Sequence, residues 1–170
     1  MNAKFFAAEI NLIKPGLALV MLGLLFGIGM GVGFGVNEDF FKDMIAQGIA
    51  AHPQVHDGNS AAKIWRYAQR AHFHATGIAA FSLALLVWVL MSSLKPQLKR
   101  VASVLIGLSA LYPLAWFTMF VKAPAIGRDA AHHHIVTELL VYVGTGGLLL
   151  GFAILAGNLF LGLFTEQGDA

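Results

Sequence analysis

Long unbroken apolar runs, rather than alternating ones, organise this chain. Apolar residues follow one another with almost no charge from about Leu17 to Val36, Ala71 to Met91, Val101 to Val121, and Ile135 to Leu163. Hydrocarbon about 30 Å thick needs about 20 such residues, at 1.5 Å of helical rise each. A strand reading fails, because in lipid every backbone polar group must be satisfied within its own helix. The pattern predicts an all-α integral membrane four-helix bundle, one domain over residues 1–170, with spans at about 17–36, 71–91, 101–121 and 135–163. Lys14-Pro15 suits the opening of the first span, since proline is tolerated in a first helical turn. Ser92-Ser93-Leu94-Lys95-Pro96 ends the second. Pro113 predicts a kink in the third span and Pro124 a turn after it. The first run is too long for a secretory h-region and no small-residue cleavage site follows, so it is expected to stay.

Only one connection is long. Within Asn37 to Arg70, the residues Phe40, Phe41, Met44, Ile45 and Ile49 make an apolar face beside Asp39, Lys42, Asp43 and Gln47. That spacing predicts a short interfacial amphipathic helix between spans one and two. His52-Pro53 and Asp57-Gly58-Asn59 read as turns.

Composition agrees with the pattern. Hydrophobic residues make up 58% of the chain and charged ones 12%, about half of what a soluble domain needs to cover its surface. The lipid bilayer is therefore the first partner. With no Cys there is no disulfide, thiolate metal site or iron–sulfur cluster. A net charge of +2, without a basic block, argues against nucleic acid. No phosphate loop, nucleophile motif or dinucleotide fingerprint occurs, which excludes the common soluble enzymes.

Charge also bears on orientation. Lys95, Lys99 and Arg100 crowd the tight second loop, with Lys4 and Lys14 on the same side. Lys42, Lys63, Arg66, Arg70, Lys122 and Arg128 lie opposite. The tight basic loop is the cleaner signal, so both termini are expected in the cytoplasm of a bacterial inner membrane. The histidine-rich end then faces the periplasm.

Span one carries Gly23, Gly27, Gly31 and Gly35 four apart, which share a helix face and admit a close neighbour. That neighbour is another helix, of this chain or of a second copy, or a flat cofactor. A homo-oligomer, or docking into a larger membrane complex through span one, is accordingly expected. Gly144, Gly146, Gly147 and Gly151 make a second small surface in span four.

Five of seven histidines gather at two helix starts on one membrane face: Ala71-His72-Phe73-His74 and Ala131-His132-His133-His134. Histidine is costly in lipid, so an inward-facing one marks a site. At 100° per residue, His72 and His74 point about 200° apart. Arg66, Arg70 and His74 follow at spacings of four, so two guanidiniums stand above an imidazole, where they can hold haem propionates. His134 and Glu138, also four apart, are expected to be neighbours, with Thr137 and Tyr142 in the same pocket. The plainer alternative is that these residues simply meet lipid headgroups. His52 and His56 read as solvated loop residues or secondary ligands.

Ala71-His72-Phe73-His74 resembles a segment of the catalytic subunits of haem–copper oxidases and nitric oxide reductases. In that family two histidines on opposite helix faces ligate different haem irons. Adjacent histidines on another helix bind copper, and His132-His133-His134 is similar to these. The resemblance covers a few residues; the family's subunit has about three times as many spans. Its remaining ligands, proton channels and cross-linked tyrosine have no counterpart here. The resemblance implies haem or metal binding.

Three functions follow as expectations. The first is a small membrane cytochrome subunit, with a b-type haem between His72 or His74 and one of His132 to His134. Trp65, Trp116 and Tyr112 would surround it, Glu138 would handle a proton, and electrons would pass to and from a redox partner. The second is a copper or zinc site built from His72, His74, His132, His133, His134 and Glu138. The third is a structural subunit without a cofactor.

Overall fold

The computed structural model describes residues 3–166, with side chains from Ala7 onward. Among these residues six α-helices follow one another: α1 (Ala3–Ala51), α2 (Ser60–Met91), α3 (Pro96–Gly107), α4 (Tyr112–Ile126), α5 (Arg128–His132) and α6 (Ile135–Leu161). Tight single turns over Pro53–Val55 and Leu108–Leu111 join α1 to α2 and α3 to α4. With α3 and α4 counted as one, four helices are long and apolar enough to cross a membrane. The chain is an all-α, four-span membrane protein.

The first apolar run proves to be the middle of a longer helix. α1 passes through Pro15 instead of opening there. The proline removes one N–H from the ladder, and packing offsets the loss. Ile13 and Val20 are buried, and a side chain at Gly16 would collide with the Ser103 backbone. At Asn37 the helix breaks (φ −152°, ψ 70°). The Asn37 Oδ1 accepts from the Phe40 N–H at 3.1 Å and caps the second segment. That segment is the expected amphipathic helix. Ile45 is buried, Phe41, Met44 and Ile49 are half-buried, and the helix lies over the histidine end of the bundle with Gly48 against Pro124.

α2 starts at Ser60, well before the expected Ala71. Hydropathy finds only its lipid-facing length; above that, Ile64, Ala68 and Ala71 continue a buried stripe beneath the charged residues. Pro113 kinks span three as predicted: it has no N–H for the Ser109 carbonyl, so the chain tightens into the single turn Leu108–Leu111. Ser109 and Ser82 bond through their hydroxyls at 2.9 Å.

α1, α2 and span three pack on one another, whereas α6 packs almost wholly on span three and scarcely meets α2. The glycines explain both. Gly23 meets Ala110, Gly27 meets Ala75 and Thr76, and Gly31 meets the His72 ring, so the space at three of the row's four glycines is filled by the chain itself, whereas Gly35 faces open space. Gly144 and Gly147 seat α6 against Tyr112 and Leu108. A groove is left between α2 and α6, floored by span three. At the opposite end, Gly162 (φ 64°) stops α6 and the following residues pair with the Ser92–Lys95 loop.

Candidate functional site

His72 and His74 lie about 18 and 21 Å along α2 from Ser60, not at its start. They leave the helix on opposite sides, as their spacing requires. His72 faces α1: its Nδ1 is 2.8 Å from the Gly27 carbonyl, and its ring lies edge-on to Phe34. His74 faces α4, stacked on Trp116 at 5.8 Å and edge-on to Tyr112 at 5.3 Å. Its Nδ1 is 2.8 Å from the Arg70 carbonyl. A carbonyl only accepts, so in both rings Nδ1 carries a proton, and in the neutral ring the lone pair is then on Nε2. This is the tautomer in which a metal-ligating Nε2 is oriented through the other nitrogen.

The second histidine group is arranged differently from the expectation. His132 ends α5, His133 lies in the turn, and His134 is the N-cap of α6, its Nδ1 accepting from the Val136 N–H at 3.2 Å. An N-cap residue lies outside the helical spiral, so the four-residue rule does not bring His134 to Glu138. His133 takes that place, with Nδ1 3.3 Å from Glu138 Oε1. Glu138 thus meets an imidazole, but not the one its spacing suggested.

His132, His133, Thr137 and Glu138 line a cleft of about 230 Å³ between α4 and the α5–α6 corner, and Tyr142 joins them. Its opposite wall is Tyr112 and Trp116, the two rings against which His74 lies. Thr137 is buried, its hydroxyl donating to the Ala131 carbonyl at 2.9 Å, which ties α6 to α5. The Trp116 Nε1 is buried without a hydrogen-bond partner. One aromatic floor therefore connects an imidazole on α2 with the His133–Glu138 pair on the other side.

Arg66 and Arg70 stand above His74 as the sequence requires, and the Arg70 guanidinium lies 4.7 Å from the centre of the Trp116 ring. They share a second cleft, of about 210 Å³, with Lys63, Tyr67 and Arg128. These three were not singled out from the sequence. Lys63, Arg66, Tyr67 and Arg70 do repeat at three- and four-residue spacing, but nothing in the chain announces that Arg128 joins them. Asp57 approaches Arg128 at 3.1 Å and Lys63 at 3.7 Å. The Ser60 hydroxyl and the Asn59 N–H bond its carboxylate and hold its pKa below the ordinary aspartate value, with the nearby cations adding to the effect.

Other residues lie elsewhere. Trp65 packs on Phe34 in the α1 half of the bundle. His56 is no solvated loop residue: its Nε2 is 3.0 Å from the Pro124 carbonyl, fastening the loop to α4. His52 bonds back to Gly48 at 3.2 Å. His72 lies on the α1 side of α2, apart from the groove, and among the described residues no three His, Asp or Glu side chains converge on one point. Compared with protein-family models, curated proteins and solved structures, the chain finds no match.

Proposed function

We propose that the protein is a small membrane redox subunit that holds a b-type haem in the α2–α6 groove, with His74 as a ligand. The observation that carries this reading is the state of His74. Its Nδ1–H is held by the Arg70 carbonyl, so that Nε2 is the nitrogen available to a ligand, and its ring lies against Trp116 and Tyr112, which also wall the His133–Glu138 cleft. Bis-histidine ligation would draw on His74, which packs on Tyr112 and Trp116, and on His133, which lines the cleft those two rings wall. Arg70, one turn above, supplies positive charge for carboxylates at the haem edge. Bound there, the haem supplies one-electron redox chemistry. Glu138 and His133 form the titratable pair at the groove's mouth, able to hold a proton beside it. The enclosed cleft is smaller than a macrocycle, and the separation of α2 from α6 leaves the flank open for the rest. In this reading the chain lies in a bacterial inner membrane with both termini in the cytoplasm, and a redox partner exchanges electrons at the outer face.

The size of the cleft favours a second reading, a copper or zinc ion that would draw on His132, His133 and Glu138, which line the cleft but do not converge on one point as they stand. An absorption spectrum of the detergent-purified protein, as isolated and after dithionite, with metal analysis on the same sample, separates the two. The haem reading expects a Soret band, with α and β bands that sharpen on reduction. The band should be lost in His74→Ala and kept in His134→Ala. A featureless spectrum with stoichiometric copper or zinc, lost in His133→Ala, sinks the haem and supports the ion. Neither chromophore nor metal sinks both and leaves a structural subunit.

A further inference from the structure

We propose that Lys63, Arg66, Tyr67 and Arg70 of α2, with Arg128 of α5, form a binding site for a phosphate ester of the kind found on an anionic phospholipid headgroup. The site shares Arg70 with the reading above, in which that guanidinium serves the haem edge, while Lys63, Arg66, Tyr67 and Arg128 lie outside the histidine cleft. Its residues line one cleft of about 210 Å³. Four cations face it and one carboxylate, Asp57, stands at its edge, engaged by Arg128 and Lys63. Arg66 and Arg70 form no ion pair among the described residues. Like charges four apart on a helix repel, so this arrangement raises the energy of the empty protein and is relieved by a shared anion. Guanidiniums favour phosphate oxygens, which accept two parallel hydrogen bonds from one fork, and the Tyr67 hydroxyl adds a neutral donor.

Depth in the bilayer supports the same class of ligand. About 20 residues counted back from Met91 bring the hydrocarbon edge to about residue 72. Arg70 and Arg66 then lie about 3 and 9 Å beyond it, spanning the phosphate layer, with Lys63 about 14 Å out. Arg128 reaches the cleft because the chain turns at Gly127 (φ 82°) directly after span three. The neighbouring histidine cleft carries Glu138, which repels a phosphate. Charge therefore sorts the two clefts.

The test titrates the purified protein in a neutral detergent with phosphatidylglycerol, phosphatidylcholine or inorganic phosphate, and reads apparent affinity from the rise in unfolding temperature. The Soret absorbance of each sample is recorded, so that loss of a cofactor is scored separately from loss of the anion. Phosphatidylglycerol should bind about tenfold or more tightly than phosphatidylcholine, the effect of one or two charge-assisted hydrogen bonds. Arg66→Gln/Arg70→Gln should remove that preference, and Arg66→Lys/Arg70→Lys should keep part of it. Asp57→Asn should tighten binding, because it deletes the competing carboxylate. Protection by inorganic phosphate alone, lost in the same glutamine variant, also supports the site and makes the ligand a free phosphate. Equal binding of the two lipids with no effect of phosphate, or a preference that survives the double glutamine variant in a folded protein, overturns the proposal.

Discussion

The two ends of the bundle handle polar groups in opposite ways. At the end formed by Ser92–Lys95, the one buried charge and the loop's backbone groups are met within the chain. Lys99 is 7% exposed, bonded to Glu9 and to the Leu90 carbonyl, and the residues after α6 supply hydrogen bonds to Ser93 and Lys95. At the histidine end two clefts are lined by ionisable side chains. His132, His133 and Glu138 line one, with His74 behind its Tyr112 and Trp116 wall, and Arg66 and Arg70 line the other without an ion pair among the described residues. A buried charge without a partner costs several kcal/mol, so the closed end is what a stability requirement produces. Imidazoles and guanidiniums lining clefts are what the binding proposed above would use.

The largest effect is expected from breaking the closed end. Glu9→Ala leaves the Lys99 ammonium buried without its partner, which costs about 3–5 kcal/mol and should lower the midpoint of denaturation in a mixed-micelle titration. Replacing the pair together, as Glu9→Leu/Lys99→Met, should recover most of that loss, because removing both charges leaves neither unpaired. A single variant as stable as the parent would show that Lys99 reaches water, and the contrast between the ends would fail.

A smaller effect tests the packing that creates the groove. Gly27→Leu drives a side chain into Ala75 and Thr76, where even a Cβ would lie 2.8 Å from the Ala75 methyl. Overpacking of this kind costs about 1–3 kcal/mol. Gly29→Leu, two residues away and with nothing within 4 Å, should change stability little. Equal losses in both would mean that the glycine row meets a partner beyond the chain's own α2. Thermal unfolding of the two proteins side by side decides it.

The spans were legible because each is a long apolar run, a signal set by bilayer thickness rather than by tertiary context. Their true ends were not. α2 begins at Ser60 and α1 runs through Pro15 because packing, not hydropathy, holds those turns. The glycine row signalled a close neighbour, but only the fold identifies it as α2 at Gly27 and Gly31 and span three at Gly23. For the site, the opposite directions of His72 and His74 followed from helical pitch alone. The pairing of Glu138 did not, because the change from α5 to α6 falls inside the histidine triplet and breaks the regular spiral. Arg128 joins α2 across a turn in which Gly127 has positive φ, a long-range contact that no local spacing encodes.

The smallest effect sharpens the contrast from the open end. His133 is exposed, and its bond to Glu138 is 3.3 Å long. Removing it touches neither the packed core nor a buried charge pair, so His133→Ala should alter stability by no more than about 0.5 kcal/mol. The same substitution should nonetheless change what the groove holds, as a lost or altered Soret band or as lost metal. Near-neutral stability together with a changed ligand content is the signature of a residue kept for binding. A loss comparable to that of Glu9→Ala, with ligand content unchanged, would make the His133–Glu138 pair a structural clasp between α5 and α6, and the two ends of the bundle would then be alike.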